Sequence, residues 1–137
     1  MKIYKNFNIQ KKFKNSAIAI GNFDGFHLGH QRVIKKGKQI AKRYNLKFGL
    51  MVFQPLPVMF FNKRLKNYRI DSLEQKIASS KKYGIDFLIV KKFDKKFSNI
   101  NSKDFIKKIL YKKLKTKLIF ISKNFRFGKN RTGDIKL

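Results

Sequence analysis

The chain has 137 residues, enough for one domain with a real hydrophobic core and two at most. It has no cysteine, which excludes a disulfide framework, a thiol nucleophile and any cysteine-based metal site. Apolar residues make up 42% of it, too many for a typical disordered chain, and lysine plus arginine total 35 against 7 acidic residues, a formal net charge of +28.

The charge has two readings. Arginine is confined to positions 32, 43, 64, 69, 126 and 131, and the lysines run along the whole chain without clustering. Asn, Ile and Phe, which share A/T-rich codons with Lys, are abundant too, so one reading is that genome composition produces the bias. The rival reading is a selected polyanion surface. Nothing resembles a helix-turn-helix, an RRM or a zinc finger, so no specific nucleic acid is expected. No apolar run approaches the roughly 20 residues of a bilayer span, and the first 14 residues lack the apolar stretch of a secretory signal. The expectation is a soluble cytoplasmic protein with no membrane partner.

In chain order, residues 16–20 (SAIAI) read as a buried strand ending at Gly21. Residues 27–44 read as a helix with Leu28, Val33, Ile34, Ile40 and Ala41 roughly on one face and Gly37 as a modest cost. Residues 46–53 (LKFGLMVF) predict a second strand, stopped by Pro55 and Pro57. Ser72-Leu-Glu-Gln75 fits a capping box, and the helix it opens closes at Gly84. Residues 86–90 (DFLIV) predict a third strand. Asn101 or Ser102 then caps a helix over about 103–114, with Phe105, Ile106, Ile109 and Leu110 on its apolar side. Residues 118–122 (LIFIS) predict the last strand, and a Gly- and Asn-containing loop follows from Lys123.

Continuous apolar strands alternating with helices predict an α/β fold, a mostly parallel sheet with helices on both faces. Ligands bind such sheets beyond the carboxyl ends of the strands. Three loops lie there: residues 21–26, 54–61 and 123–133.

The first loop reads Gly21-Asn-Phe-Asp-Gly-Phe-His-Leu-Gly-His30. Glycines at 21 and 25 allow a sharp turn and close approach to a ligand. A helix N-terminus offers free N–H groups to phosphate. His27 and His30, the only two histidines, are spaced for one face of a first helical turn, and both can donate to phosphate oxygens. Gly29 leaves room for a nucleotide against the helix. No metal site is expected, because Asp24 is the only nearby third ligand and zinc normally takes three or four.

Gly21-Asn-Phe-Asp-Gly-x-His-x-Gly-His30 resembles the signature of the H-x-G-H nucleotidyltransferase superfamily. More narrowly, the chain resembles the FMN adenylyltransferase (FAD synthetase) module of bacterial bifunctional riboflavin kinase/FAD synthetases. Phe53-Gln-Pro-Leu-Pro57 is similar to that family's F-x-P-H-P loop. Ser72-Leu-Glu-Gln-Lys76 with Tyr83-Gly-Ile-Asp86 is similar to its S-L-x-x-K and G-[VI]-D stretches. Asn124-Phe-Arg-Phe-Gly-Lys-Asn-Arg-Thr-Gly-Asp134 is similar to its [DN]-F-x-F-G-x-x-x-x-G-D loop. The four motifs occur in order over nearly the whole chain.

The resemblance implies a Rossmann-like nucleotidyltransferase fold and transfer of AMP from ATP to FMN, giving FAD and pyrophosphate, with Mg2+ accompanying ATP. It implies catalytic roles for His27 and His30 and an ATP site at Gly21, Asn22, Phe23, Asp24 and Gly29. It implies flavin contacts at Pro55, Pro57, Asn124, Phe125 and Phe127. For the two phenylalanines core packing stays equally open, and Arg126 is either a phosphate ligand or a surface cation. The chain departs from the family pattern at Gln54, Leu56 and Ser122, and it stops at Leu137, before the family's I-S-S-T-x-x-R segment. The expectation is one adenylyltransferase domain over 1–137, incomplete at its C-terminus and without the riboflavin kinase module. The alternatives are an inactive fragment binding nucleotide or polyanion through its basic surface, and a cytidylyl- or pantetheine-type transferase on the same fold.

Overall fold

The structure is a computed structural model that describes residues 1–23, 25, 28–54, 72–121, 128, 129 and 133. Five strands, β1 (Lys2–Tyr4), β2 (Ala17–Ile20), β3 (Phe48–Gln54), β4 (Phe87–Lys92) and β5 (Leu118–Phe120), form one sheet in the order β1-β4-β3-β2-β5. Every pairing in it is parallel. The chain steps from β2 to β3 to β4 in one direction, then returns across the sheet to set β5 on the other side of β2.

Side chains alternate between the faces with the strand period of two. Ala17, Ala19, Phe48, Leu50, Val52, Leu88 and Val90 enter one core, which α1 (Leu28–Arg43) covers with Ile34 and Ala41. Helix α2 (Leu73–Lys82) covers the same face with Leu73 and Ile77. Ile18, Ile20, Met51, Phe53, Phe87 and Ile89 enter the opposite core. Burial on both faces is why these strands read as unbroken apolar runs.

The helix ends follow local rules. In α2 the Ser72 hydroxyl accepts from the Gln75 amide and the Gln75 side chain accepts from the Ser72 amide, the expected capping box. The helix closes on Gly84 in the left-handed region, at φ +71. Bonds from Gly84 N to Lys81 O and from Ile85 N to Ser80 O complete the stop. Helix α1 ends the same way on Asn45, at φ +55, a stop the sequence did not flag.

Four features depart from the sequence reading. Leu28 is 70% exposed, so the apolar face of α1 starts only at Val33 and Ile34. Gly37 is a packing requirement: a Cβ there would stand 2.8 Å from the Phe48 ring and 3.2 Å from Phe120. The first 14 residues are integral to the fold, supplying edge strand β1, a 3₁₀ turn at Lys11–Phe13 and buried Phe7, Ile9 and Phe13. A short helix α3 (Lys95–Ser98), capped by Asp94, buries Phe97.

The helix after Asn101 also differs in kind. Asn101 caps it through its side chain, and α4 (Ser102–Asp104) runs on as a π-helix over Phe105–Lys113. The wider turn brings Phe105, Ile109 and Leu110 together onto the second core, and Leu114 N bonds back to Ile109 O at 2.9 Å.

Candidate active site

Strands β2, β3 and β5 are in register side by side, with Ala19 opposite both Leu50 and Phe120. Their carboxyl ends therefore share one edge of the sheet. The segments starting at Gly21, after Gln54 and after Phe120 all leave from that edge. The strand order reverses between β3 and β5 around β2, where a parallel sheet opens a crevice for ligands.

The turn after β2 is tightly held. Gly21 N still pairs with Met51 O at 3.2 Å, extending the sheet by one residue. A Cβ at Gly21 would stand 3.0 Å from the Phe23 ring, so glycine lets that ring fold back under the turn. Phe23 is 2% exposed and packs into the core beneath α1. Its φ is +48, in the left-handed region that costs a bulky residue about 1–2 kcal/mol. Strain of this kind persists where surrounding structure over-determines it, and it clusters at functional turns.

Two contacts supply that over-determination. The Phe23 ring lies 5.1 Å from the His30 ring, inclined at 56°. The Lys76 ammonium, on α2, donates to the carbonyl of Asn22 at 2.8 Å. Lys76 is 2% exposed, a buried cation in the first turns of a helix. In the sequence Lys76 stands out only as the last residue of the Ser72-Leu-Glu-Gln-Lys76 stretch. In so lysine-rich a chain, its spacing after the capping Ser72 was the one available signal.

Of the proposed ATP residues, the structure thus brings Gly21, Asn22, Phe23, Gly29 and His30 to one turn and the first turn of α1. Asn22 and Gly29 are exposed, Gly21 and His30 half-buried, with His30 Nδ1 turned away from solvent. Phe23 presents its backbone at the turn and its ring to the core. Asp24 and His27 lie outside the described residues, as do the flavin candidates Pro55, Pro57, Asn124, Phe125 and Phe127, and Arg126.

The two segments that carry the flavin candidates adjoin described positions that are tightly held. Phe53 is core, with its ring 5.5 Å from Phe97, and Gln54 O accepts from Phe93 N at 3.1 Å. At the far end, Gly128 has φ +78 and lies against the start of α4, where a Cβ would stand 2.5 Å from Ser102 N. Lys129 N bonds to Ile100 O at 2.7 Å. Asp86, from the G-I-D stretch, works on the scaffold: its carboxylate accepts from Phe48 N at 2.8 Å at the start of β3.

The family model described as FAD synthetase matches residues 9–137. The chain belongs to the FAD synthetase family. It is 41% identical over 138 residues to the bifunctional riboflavin kinase/FMN adenylyltransferase of Buchnera aphidicola from Acyrthosiphon pisum, covering all of this chain and 44% of that protein. The Escherichia coli K12 protein of the same name is 32% identical over 120 residues, covering 88% of this chain and 38% of that one. The chain thus spans about two fifths of the length of these FAD synthetase relatives. A solved structure described as a macrolide-efflux protein from Streptococcus pneumoniae shares the fold, with a TM-score of 0.77 at 22% identity over 95% of this chain and 43% of that one. Among the described residues, no helix is long and apolar enough to cross a membrane.

Proposed function

We propose that residues 1–137 form an FMN adenylyltransferase domain that transfers AMP from Mg-ATP to FMN, releasing FAD and pyrophosphate, in the cytoplasm. The observation that carries the reading is the braced turn at residues 21–23 in a chain of the FAD synthetase family: a strained Phe23 at the carboxyl edge, its ring against His30 in the first turn of α1.

An FMN phosphate oxygen attacks the α-phosphorus of ATP. The new P–O bond forms as the bond to the oxygen bridging the α- and β-phosphates breaks, and pyrophosphate departs. The attacking phosphate is already anionic at neutral pH, so no strong base is required. Catalysis reduces to alignment and to neutralising charge on the phosphate oxygens. His27, His30 and the α1 N-terminus supply that neutralisation in this reading. Exposed Gly29 leaves the nucleotide room on α1, and the exposed Asn22 edge of the turn faces it. Pro55, Pro57, Asn124, Phe125 and Phe127 are the flavin candidates of this reading, because aromatic side chains stack on flat rings and an Asn amide pairs with a polar ring edge.

The test is direct. Purified chain mixed with FMN and Mg-ATP is expected to lose flavin fluorescence as FAD forms and to release pyrophosphate in equal amount. A chain that binds neither substrate and makes no FAD overturns the reading. A second check uses the anchor of the flavin loop. Gly128→Ala forces a side chain into Ser102 at a left-handed position, and it is expected to weaken FMN binding by about tenfold while Mg-ATP binding holds. Equal losses for both substrates would detach that loop from the flavin site.

A further inference from the structure

Lys76 stands against three ordinary tendencies at once. A lysine ammonium is almost never fully buried, yet this residue is 2% exposed. A cation is disfavoured in the first turns of a helix, yet Lys76 lies four residues after the capping Ser72. And a chain with lysine at so many surface positions has no general need of one in its interior. Local rules broken together at one residue mark a functional constraint.

What that position achieves is geometric. Helix α2 is held at both ends, by the Ser72–Gln75 capping box and by Lys38 of α1, whose Nζ donates to Tyr83 O at 3.0 Å. From this fixed base the Lys76 ammonium reaches across to Asn22 O at 2.8 Å. The next residue is Phe23, whose left-handed backbone turns the chain and whose ring backs His30. A charge-assisted bond to the carbonyl just before the strained residue fixes the orientation of the Asn22–Phe23 peptide.

We propose that Lys76 is a positioning residue for the nucleotide site, bracing the turn at residues 21–23 from behind so that Phe23 and His30 keep their places before ATP arrives. It deepens the transferase reading and rests on it. The prediction follows from what the brace touches: loss of the ammonium disturbs the ATP side and spares the flavin side.

Lys76→Met keeps the aliphatic stem and removes the charge and its donors. The expected result is a KM for Mg-ATP raised about tenfold or more, with the KM for FMN unchanged within about twofold. Amide hydrogen exchange in the ligand-free protein is expected to accelerate about tenfold at residues 21–25, with β3 and β4 unchanged. A merely structural lysine would lower the melting temperature while leaving the Mg-ATP KM and the loop exchange at wild-type values in the folded protein, and that outcome overturns the proposal. Should the Met variant fail to fold, Lys76→Arg decides. Its larger planar head does not fit the ammonium's buried place against Asn22 O without shifting the turn, so a several-fold rise in Mg-ATP KM alone is expected, and wild-type values in both KM and exchange overturn the brace. A wild-type chain that binds no Mg-ATP and makes no FAD defeats the transferase reading instead, and the exchange measurement, which uses no substrate, still decides Lys76.

Discussion

On the proposed transferase function, His30→Ala is expected to lower kcat for FAD formation by about 10²–10³-fold while FMN affinity stays within about twofold. The imidazole sits in the first turn of α1, half-buried, with the Phe23 ring 5.1 Å behind it. That backing restricts its orientation before substrate binds. A donor held in place stabilises charge without reorganising, and the charge on the phosphate oxygens is greatest as AMP transfers. The effect therefore falls on kcat, with ground-state binding of FMN spared. Single-turnover FAD formation and an FMN titration separate the two. Unchanged single-turnover rates in the alanine variant remove His30 from the chemistry. The ring contact with Phe23 is worth about 0.5–1.5 kcal/mol beyond its buried area, and a thermal melt of the variant checks that the kinetics are read on folded protein.

Gly49→Ala is expected to be the most damaging single-methyl change in the described core, at about 3 kcal/mol and a melting temperature lower by roughly 10 °C. Gly49 faces the second core from near the start of β3, the central strand of the sheet, directly across from Phe87 of β4. The Phe87 ring lies over the space where a Cβ at 49 would project, and the Phe13 ring stacks against Phe87 with centroids 4.8 Å apart. A methyl at 49 must displace both rings or part the strands. Thermal unfolding of the single variant, and of Gly49→Ala with Phe87→Leu, checks this. The smaller side chain is expected to recover part of the loss, because the two changes share one space. A Gly49→Ala protein as stable as wild type would mean that the Phe87 ring does not cover Gly49. Residues at the carboxyl edge are untouched, so turnover per folded molecule is expected to hold at low temperature.

These two positions differ in how far the sequence exposed them. His30 was legible because the chain has only two histidines and both sit in a glycine-rich stretch between an apolar run and a helix. Gly49 drew no notice, and Gly37 looked like a small defect in a helix. Each turned out to be the space for a ring from a distant segment, Phe87 for one and Phe48 for the other. A glycine's sequence neighbours do not reveal what will lie against it.

The same division runs through the elements. Strands β2, β3 and β4 could be read because both their faces are buried, so their apolar character is continuous over four or more residues. The capping box at Ser72 and the glycine stop at Gly84 are local hydrogen-bond chemistry and appear in the order of residues. Strand β1 is an edge with one neighbour, and its three residues carry too short a pattern to separate from a charged tail. The π-helix shares the apolar positions an α-helix would show, because Phe105, Ile109 and Leu110 suit either turn.

By itself, then, the sequence determined the α/β alternation, the carboxyl-edge loops, the family and the histidine-bearing turn, since all of these are carried by contacts between near neighbours or by contiguous motifs. Only the tertiary structure decided the strand order, the integration of the first 14 residues, the glycine spaces and the bond from Lys76 to Asn22, which joins residues 54 positions apart. The physical reason is that burial and hydrogen-bond partnership belong to pairs of surfaces, and one lysine among many in the chain differs from the rest only through what it meets when the chain closes.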